Sequence, residues 1–180
     1  MNLYLVRHTR VNVPAGICYG ETDVEVRDSF KEDAGEVISK LDGINFTHCF
    51  SSPLTRCRIL ANTIIKNSLI IRYDDRLKEL NFGQWEGKQW SELCQTPQGR
   101  LWYNDYINTV CPGGESYADL LERIRSFLDD LKKLPGNSEV LIVSHGGPIR
   151  SILVCLENID PTKIFDVSIN HGGVIDVSFT

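Results

Sequence analysis

The chain has 180 residues, of which 42% are hydrophobic and 24% are charged, a composition typical of a globular domain. The formal net charge of −5, from 19 Lys and Arg against 24 Asp and Glu, argues against nonspecific nucleic-acid binding, which needs a basic surface. No apolar run approaches the roughly 18 residues that a membrane-spanning helix needs, so we expect no membrane span and no membrane partner.

The first third of the chain predicts a strand, a long loop and a helix. Residues 2–7 form an apolar run typical of a buried strand, and residues 8–28 lack helical periodicity. Ser29 and Glu32 have the spacing of a capping box, in which two side chains cap the first turn of a helix. Apolar residues then recur at helical period as far as Leu41, which predicts an amphipathic helix.

Two short strands and a second helix follow. Residues 47–51 and 69–73 are apolar runs that predict strands. Between them, Ser52-Pro53 opens a predicted helix with the proline in its first turn.

Residues 80–115 predict a small helical excursion, with short helices near 86–94 and 98–106. All the tryptophans of the chain fall in it: Trp85, Trp90 and Trp102. They either form the core of this excursion, or one or two of them line a pocket for a flat aromatic group.

The remaining sequence predicts a long helix and the rest of the sheet. Ser116 and Asp119 have the spacing of a second helix cap, and an apolar stripe continues to Leu134. The other predicted elements are strands over 140–143, 166–170 and 174–179 and a helix over 147–157. Strands that alternate with helices indicate an α/β fold, so we expect a three-layer α/β/α sandwich with a mostly parallel sheet, formed as one domain over residues 1–180.

Chemically reactive side chains follow the predicted strands where these strands end. Arg7 and His8 end the first strand, Arg56 follows the second, Glu79 the third and His145 the fourth. Ligands of open α/β sheets bind outside the carboxyl ends of the strands, so we expect these five side chains to share one site. A histidine can attack phosphorus, arginines can hold phosphate oxygens, and a carboxylic acid can protonate a leaving group. The set predicts a phosphate site with a nucleophile and a proton donor.

Four ordered motifs carry these residues and resemble the histidine phosphatase (phosphoglycerate-mutase-like) superfamily. They are LVRHT at 5–9, SSPLTR at 51–56, LKEL at 77–80 and SHGG at 144–147. Further segments resemble the α-ribazole-5′-phosphate phosphatases of cobalamin biosynthesis: CYGETD at 18–23, NFGQWEG at 81–87 and PGGES at 112–116. The chain departs from the commoner motif at Thr9, where glycine is usual.

The resemblance implies a phosphoglycerate-mutase-like fold and a metal-independent phosphomonoesterase that forms a phosphohistidine and needs no cofactor. It implies that His8 is the nucleophile, Glu79 the proton donor and His145 a hydrogen-bond donor to the transferred group. The implied phosphate-binding residues are Arg7, Arg56 and Gly146. The implied leaving-group pocket contains Tyr19, Gly20 and Trp85. The implied substrate is α-ribazole 5′-phosphate or cobalamin 5′-phosphate.

Other functions stay open on the sequence alone. A broad-specificity phosphatase for sugar or glycerate phosphates and a phosphoglycerate mutase share the motifs, although residues 80–115 contain only Lys88 and Arg100 as cations, which favours hydrolysis. An inactive phosphate-binding scaffold and a metal-dependent hydrolase are more distant, because the catalytic set is complete and no H-x-H or H-E-x-x-H spacing occurs. We expect a small phosphorylated metabolite as partner, and a homodimer through the closing strand is left open.

The six cysteines include no C-x-x-C pair, and the N-terminus lacks a basic segment followed by a long apolar core. We therefore expect reduced thiols in a cytoplasmic protein. His48 and His171 have no motif around them and are predicted to be structural, and Arg150 is predicted to lie on the surface.

Overall fold

A five-stranded sheet forms the centre of the fold in the computed structural model, which describes residues 1–179. The strands are β1 (Asn2–Arg7), β2 (His48–Ser51), β3 (Ile71–Tyr73), β4 (Glu139–Ser144) and β5 (Val174–Ser178). Their spatial order is β3-β2-β4-β1-β5. Strands β1 to β4 run parallel, and β5 pairs antiparallel with β1. The predicted α/β class with a mostly parallel sheet is confirmed.

Helices cover both faces of this sheet. They are α1 (Phe30–Lys40), α2 (Thr55–Ile65), α3 (Trp90–Leu93), α4 (Pro97–Asn104), α5 (Tyr117–Leu131) and α6 (Gly146–Glu157). The buried faces of α1 and α2 pack on one side of the sheet, and those of α5 and α6 pack on the other. The result is the expected three-layer sandwich. Within residues 1–179, no helix combines the length and the apolar character needed to cross a membrane.

The central strands are apolar throughout because both of their faces are covered. Successive side chains of a strand point to opposite faces, so Leu3 and Leu5 pack with α5 and α6 whereas Val6 packs with α1 and α2. All three side chains are fully buried, and each contributes about 1.5–3 kcal/mol to folding.

The carboxyl ends of three strands meet at one edge of the sheet. His8 N donates to Ser144 O and Ser52 N donates to Val143 O, each at 3.0 Å. These bonds extend the pairing of β1, β4 and β2 beyond the last strand residues. The side chains that follow the strands therefore start from a common edge.

The two predicted helix caps have different outcomes. Ser116 and Asp119 form a complete capping box at the start of α5. The Ser29 side chain makes no capping bond, and its hydroxyl lies 3.5 Å from the Asp33 carboxylate. With φ −73° and ψ 7°, Ser29 lacks the extended backbone that lets an N-cap side chain reach the first turn.

Helix α2 begins later than predicted, so that Pro53 precedes the helix instead of occupying its first turn. The cap comes from a distant carboxylate. Asp23 accepts bonds from Thr55 N at 2.8 Å and from Thr55 Oγ1 at 2.7 Å. The loop between β1 and α1 is thereby attached to the helix that carries Arg56.

The predicted strand over 166–170 is wrong. A 3-10 helix occupies Pro161–Asp166, and the segment up to Asn170 is irregular. The edge of the sheet beside β1 is already filled by β5. The Ile169 carbonyl instead accepts a bond of 2.6 Å from Arg7 Nη1.

Candidate active site

His8 follows β1 and is almost fully buried, with 1% of its surface exposed. Its Nδ1 lies 2.8 Å from the Thr9 carbonyl oxygen. A carbonyl oxygen only accepts, so Nδ1 carries the proton and Nε2 keeps a free lone pair. This is the tautomer that a nucleophilic histidine requires.

His145 lies opposite His8, with their ring centroids 5.1 Å apart. Arg56 Nε donates to His145 Nδ1 at 3.2 Å. Because a guanidinium only donates, the imidazole proton is on Nε2, which lies 2.8 Å from Ser52 Oγ. The one N–H of His145 therefore faces Ser52 Oγ, and its predicted donation to the transferred group stays a prediction.

Both imidazoles are held in the neutral form. Burial, and then the charge of Arg56, lower the pKa of His8 well below its usual value, although the hydrogen bond to Thr9 acts in the opposite direction. Burial, followed by His8 and Arg56, lowers the pKa of His145 in the same way. His8 is therefore unprotonated, and competent to attack, at neutral pH.

Arg56 is fully buried at the first turn of α2. Besides its bond to His145, it donates to Thr22 O at 2.8 Å and to Gly20 O at 2.6 Å. Three of its five N–H groups are thus engaged by the protein. Arg56 orients His145 and fixes the loop over 18–23, and its predicted contact with phosphate stays a prediction.

The segment over 81–87 supports the same loop through Glu86. The Glu86 carboxylate accepts backbone bonds from Glu21 at 2.9 Å and from Thr22 at 2.6 Å. Gly20 allows the loop to approach closely, because a Cβ at this position would lie 2.0 Å from Leu80 O. Two of the three segments that resemble α-ribazole-phosphate phosphatases, 18–23 and 81–87, are therefore packed against each other.

Arg7 completes the cationic side of the site. Its Nη1 donates to Ile169 O, and its Nη2 lies 3.2 Å from His171 Nε2. The Arg7 Nε and Thr9 Oγ1 atoms are buried and have no hydrogen-bond partner in residues 1–179. Arg7 thus retains hydrogen-bonding capacity beyond its protein contacts, which suits an anion-binding role.

Glu79 lies at the start of α6. Gly147 N donates to Glu79 Oε1 at 3.0 Å and Oε2 at 3.3 Å, and Leu80 N donates to Oε1 at 3.0 Å. A Cβ on Gly147 would lie 2.2 Å from Oε1, so a glycine is needed there. Because Oε1 takes the shorter backbone bonds, Oε2 is the oxygen free to exchange a proton.

A cavity of about 590 Å³ opens beside Glu79 and Gly147. Arg150 is the one cation lining it among the residues described. Most of the wall is aromatic and consists of Phe82, Trp90, Trp102, Tyr103, Tyr106, Tyr117 and Phe165.

Arg150 lies between this cavity and the phosphate site. Its Nε donates to Val167 O at 3.0 Å, and its guanidinium lies over the Phe165 ring, 5.9 Å from the centroid. A Cβ on Gly146 would lie 2.9 Å from Arg150 Nη1 and 3.6 Å from Arg7 Cζ. Gly146 therefore leaves room for two guanidinium groups at the start of α6.

A neutral imidazole with a free Nε2, a second histidine, nearby guanidiniums and a carboxylate are groups that phosphoryl transfer can use. The family model of the histidine phosphatase superfamily (branch 1) matches residues 3–180. The chain belongs to this superfamily. It is 30% identical to Phosphoserine phosphatase 1 of Hydrogenobacter thermophilus over 177 residues. This alignment covers 96% of this chain and 83% of that protein.

Two further relatives of this histidine phosphatase extend the comparison. Over 153 residues it is 32% identical to "Probable phosphoglycerate mutase GpmB" of Salmonella choleraesuis, covering 81% of this chain and 70% of that protein. The structure of the α-ribazole phosphatase of Shigella flexneri matches with a TM-score of 0.91 at 22% identity, over 100% of this chain and 91% of that chain. The predicted phosphoglycerate-mutase-like fold and the predicted class of phosphoric monoester hydrolase are confirmed.

The residues predicted for the leaving-group pocket of the phosphatase lie outside the lining of the cavity. The Tyr19 hydroxyl lies 3.3 Å from His171 Nε2, and Arg56 lies over the Tyr19 ring. Tyr19 is thus near the phosphate site, and Gly20 supports Arg56 through its carbonyl. Tyr19 and Gly20 thus lie outside the wall of this cavity, and their predicted place in a leaving-group pocket stays a prediction.

Trp85 also differs from the prediction. It ends a 3-10 turn over Gly83–Trp85, is 4% exposed, and packs edge-on against Trp102. Trp85 therefore lies behind the wall of the cavity, and Trp90 and Trp102 line it instead. Trp102 lines the cavity although it is only 7% exposed, so it belongs to the core as well as to the wall, and contact of a tryptophan with a flat aromatic group stays a prediction.

Two residues near the site were missed by the sequence interpretation. Arg150 is four residues after Gly146, so helical periodicity places both on one face of α6 and could have indicated it. His171 comes close to Arg7 because β5 runs antiparallel to β1. No local pattern in the sequence contains that pairing.

The buried neutral histidines predict a loss of stability in mild acid. Below pH 6.5 the unfolded chain binds protons at His8 and His145, while the folded chain does not. Their contribution is therefore fully present above pH 6.5 and is lost as the pH falls. We expect the free energy of unfolding to fall by about 1.4 kcal/mol per pH unit for each histidine. Urea unfolding at pH 7, 6 and 5 measures the dependence of the free energy of unfolding on pH. In His8→Asn this dependence should be smaller by about 1.4 kcal/mol per pH unit, which corresponds to one proton fewer taken up on unfolding. The same dependence in His8→Asn and in the unmodified protein would contradict the prediction.

Proposed function

We propose that this phosphatase hydrolyses a phosphomonoester whose alcohol leaving group carries a flat aromatic base, namely α-ribazole 5′-phosphate or cobalamin 5′-phosphate. The observation that carries this proposal is the aromatic cavity of about 590 Å³ that opens beside the proton donor Glu79. Aromatic walls suit stacking with a planar base, whereas a small polar leaving group would leave most of this surface unused. The name and fold of the Shigella flexneri α-ribazole phosphatase support the same substrate.

The first step transfers phosphate to His8. The Nε2 lone pair attacks phosphorus, and the bond from phosphorus to the leaving oxygen breaks. Glu79 Oε2 gives its proton to that oxygen, which departs as an alcohol into the aromatic cavity. The product is a phosphohistidine at His8 and a carboxylate at Glu79.

The second step returns the enzyme to its starting state. Glu79 accepts a proton from a water molecule, whose oxygen attacks the phosphohistidine. The bond from Nε2 to phosphorus breaks, and inorganic phosphate leaves. Throughout, the guanidinium of Arg7 stabilises the charge on the transferred group, and the N–H of His145 does so after it turns from Ser52 Oγ to a phosphate oxygen. Residues 1–179 contain no cluster of three or more His, Cys, Asp or Glu able to hold a metal ion.

A second candidate substrate class carries a carboxylate. Arg150 is positioned to pair with such a group at the boundary between cavity and phosphate site. The 30% identity to a phosphoserine phosphatase favours this candidate. Mutase activity is less favoured, because Lys88 and Arg100 do not line the cavity and would not retain a charged intermediate.

A panel of phosphomonoesters separates these candidates. We expect kcat/KM for α-ribazole 5′-phosphate to exceed that for L-phosphoserine and 3-phosphoglycerate, which have no aromatic ring, by at least about tenfold, as one aromatic stacking contact is sufficient to produce. A preference for phosphoserine or phosphoglycerate would favour the second candidate. Equal rates for all three would contradict a specific leaving-group site.

Tyr103→Ala tests the aromatic wall without disturbing the core, because Tyr103 is 60% exposed. Loss of one stacking surface costs about 1–3 kcal/mol, so we expect KM for α-ribazole 5′-phosphate to rise about tenfold, with L-phosphoserine, which has no ring to stack, little affected. Leu101→Ala is the matched control, since Leu101 lies on the same helix, is 57% exposed, and does not line the cavity. Unchanged KM in Tyr103→Ala would count against stacking.

A further inference from the structure

A third histidine, His171, lies at the rim of the phosphate site. It is exposed, and its ring centroid is 5.2 Å from that of His8. The backbone next to His171 is hydrogen-bonded to the backbone of the proposed nucleophile, because Gly172 N donates to both Arg7 O and His8 O at 3.1 Å. Arg7 N in turn donates to Gly173 O at 3.0 Å. The His171 imidazole therefore borders the nucleophile.

The His171 ring receives two hydrogen-bond donors on the same nitrogen. Arg7 Nη2 lies 3.2 Å from Nε2, and the Tyr19 hydroxyl lies 3.3 Å from it. A guanidinium only donates, so Nε2 is unprotonated and the ring is neutral. Both donors point toward a nitrogen that itself borders the site where an anion would bind.

The charges around His171 are mostly positive. Burial and the cations Arg7, Arg27 and Arg10 lower its pKa to about 4, with Asp33 acting in the opposite direction. The other groups packed around this turn are His8, Tyr19 and, from α1, Lys40, whose Nζ donates to Gly172 O at 3.1 Å. His171 is therefore neutral at pH 7.

We propose that His171 is a further ligand of the substrate phosphate, and that its imidazole takes up one proton from solvent as the anion binds. The inference rests on the proposed phosphate site. An arriving dianion attracts the Arg7 guanidinium away from Nε2 and adds two negative charges where the surroundings were cationic. Nε2 then binds a proton and donates it in a hydrogen bond to a phosphate oxygen. The proton returns to solvent when phosphate leaves.

Binding of tungstate, a phosphate analogue that stays dianionic from pH 6 to 8.5, tests this inference. We expect its Kd in the unmodified protein to rise by up to about tenfold per pH unit, the dependence expected for uptake of one proton. The variant His171→Gln has an amide that can form a hydrogen bond but cannot titrate. Its Kd should therefore vary less with pH, and at pH 6 it should exceed the Kd of the unmodified protein by at least about tenfold. Calorimetry in buffers of different ionisation enthalpy should show about one proton fewer taken up by the variant.

The outcomes separate the two proposals. Equal pH dependence and equal proton uptake in the protein and in His171→Gln would overturn the role of His171 while leaving the phosphate site intact. Absence of tungstate binding in both would overturn the phosphate site and this inference with it. His48→Gln is the matched control, because His48 opens β2 at the opposite end of the sheet and should bind tungstate as the unmodified protein does.

Discussion

Replacement of His8 by alanine is expected to lower kcat/KM for any phosphomonoester by at least about 10³-fold, because no other group can form the covalent intermediate. That loss corresponds to about 4 kcal/mol of transition-state stabilisation. His8→Asn is the second variant, since its amide can still donate to the Thr9 carbonyl that now fixes the imidazole. Steady-state assays of both variants, with circular dichroism to confirm folding, measure the effect.

The intermediate itself can be trapped. Rapid quenching of the unmodified protein with a ³²P-labelled substrate should give a label that is stable in alkali and lost in acid, as expected for a phosphohistidine, and both His8 variants should lack it. His48→Asn is the control, because His48 is half-buried and bonds to Thr47 on the far side of the sheet. Full turnover in His8→Ala, or a label that persists without His8, would refute the assigned nucleophile.

The convergence of His8, Arg56 and His145 could be predicted because it depends on topology alone. Each residue follows a buried apolar strand, and parallel strands place their carboxyl ends at one edge. The sequence also indicates the tight start of α6, where Gly146 and Gly147 allow close approach. Local pattern and sheet geometry are sufficient for this part of the site.

The cavity wall could not be predicted in the same way. The excursion over 80–115 consists of short elements, and a 3-10 turn of three residues has too little periodicity to show which face is buried. Trp85 therefore could not be distinguished from Trp90 and Trp102, although Trp85 alone of the three does not line the cavity. In such a region the burial of each aromatic side chain depends on packing against distant residues.

His171 illustrates a second limit. Its approach to Arg7 depends on the antiparallel pairing of β5 with β1 and on the turn that Gly172 makes at φ +67°. The predicted strand over 166–170 would have competed for that edge of the sheet. Pairing between segments more than 160 residues apart is decided by the whole fold, since register follows from both partners.

Replacement of Glu79 by glutamine is expected to affect substrates according to their leaving groups. An alkoxide needs a proton as it departs, so kcat/KM for α-ribazole 5′-phosphate should fall about 10²–10⁴-fold, the usual contribution of general acid catalysis. The p-nitrophenolate ion leaves without protonation, so kcat/KM for p-nitrophenyl phosphate should fall much less. The glutamine Oε1 can still accept from Gly147 N and Leu80 N, so the fold at the start of α6 should be preserved.

Glu79→Gln should also slow the second chemical step, the hydrolysis of the phosphohistidine. Glu79→Gln lacks the base that activates water, so the phosphohistidine formed from p-nitrophenyl phosphate should accumulate. Stopped-flow absorbance should then show a burst of about one p-nitrophenolate per active site, followed by slow turnover. Glu122→Gln is the control, because Glu122 is 78% exposed on α5 and should give neither burst nor loss. Equal losses for both substrates, without a burst, would mean that Glu79 positions the start of α6 and transfers no proton.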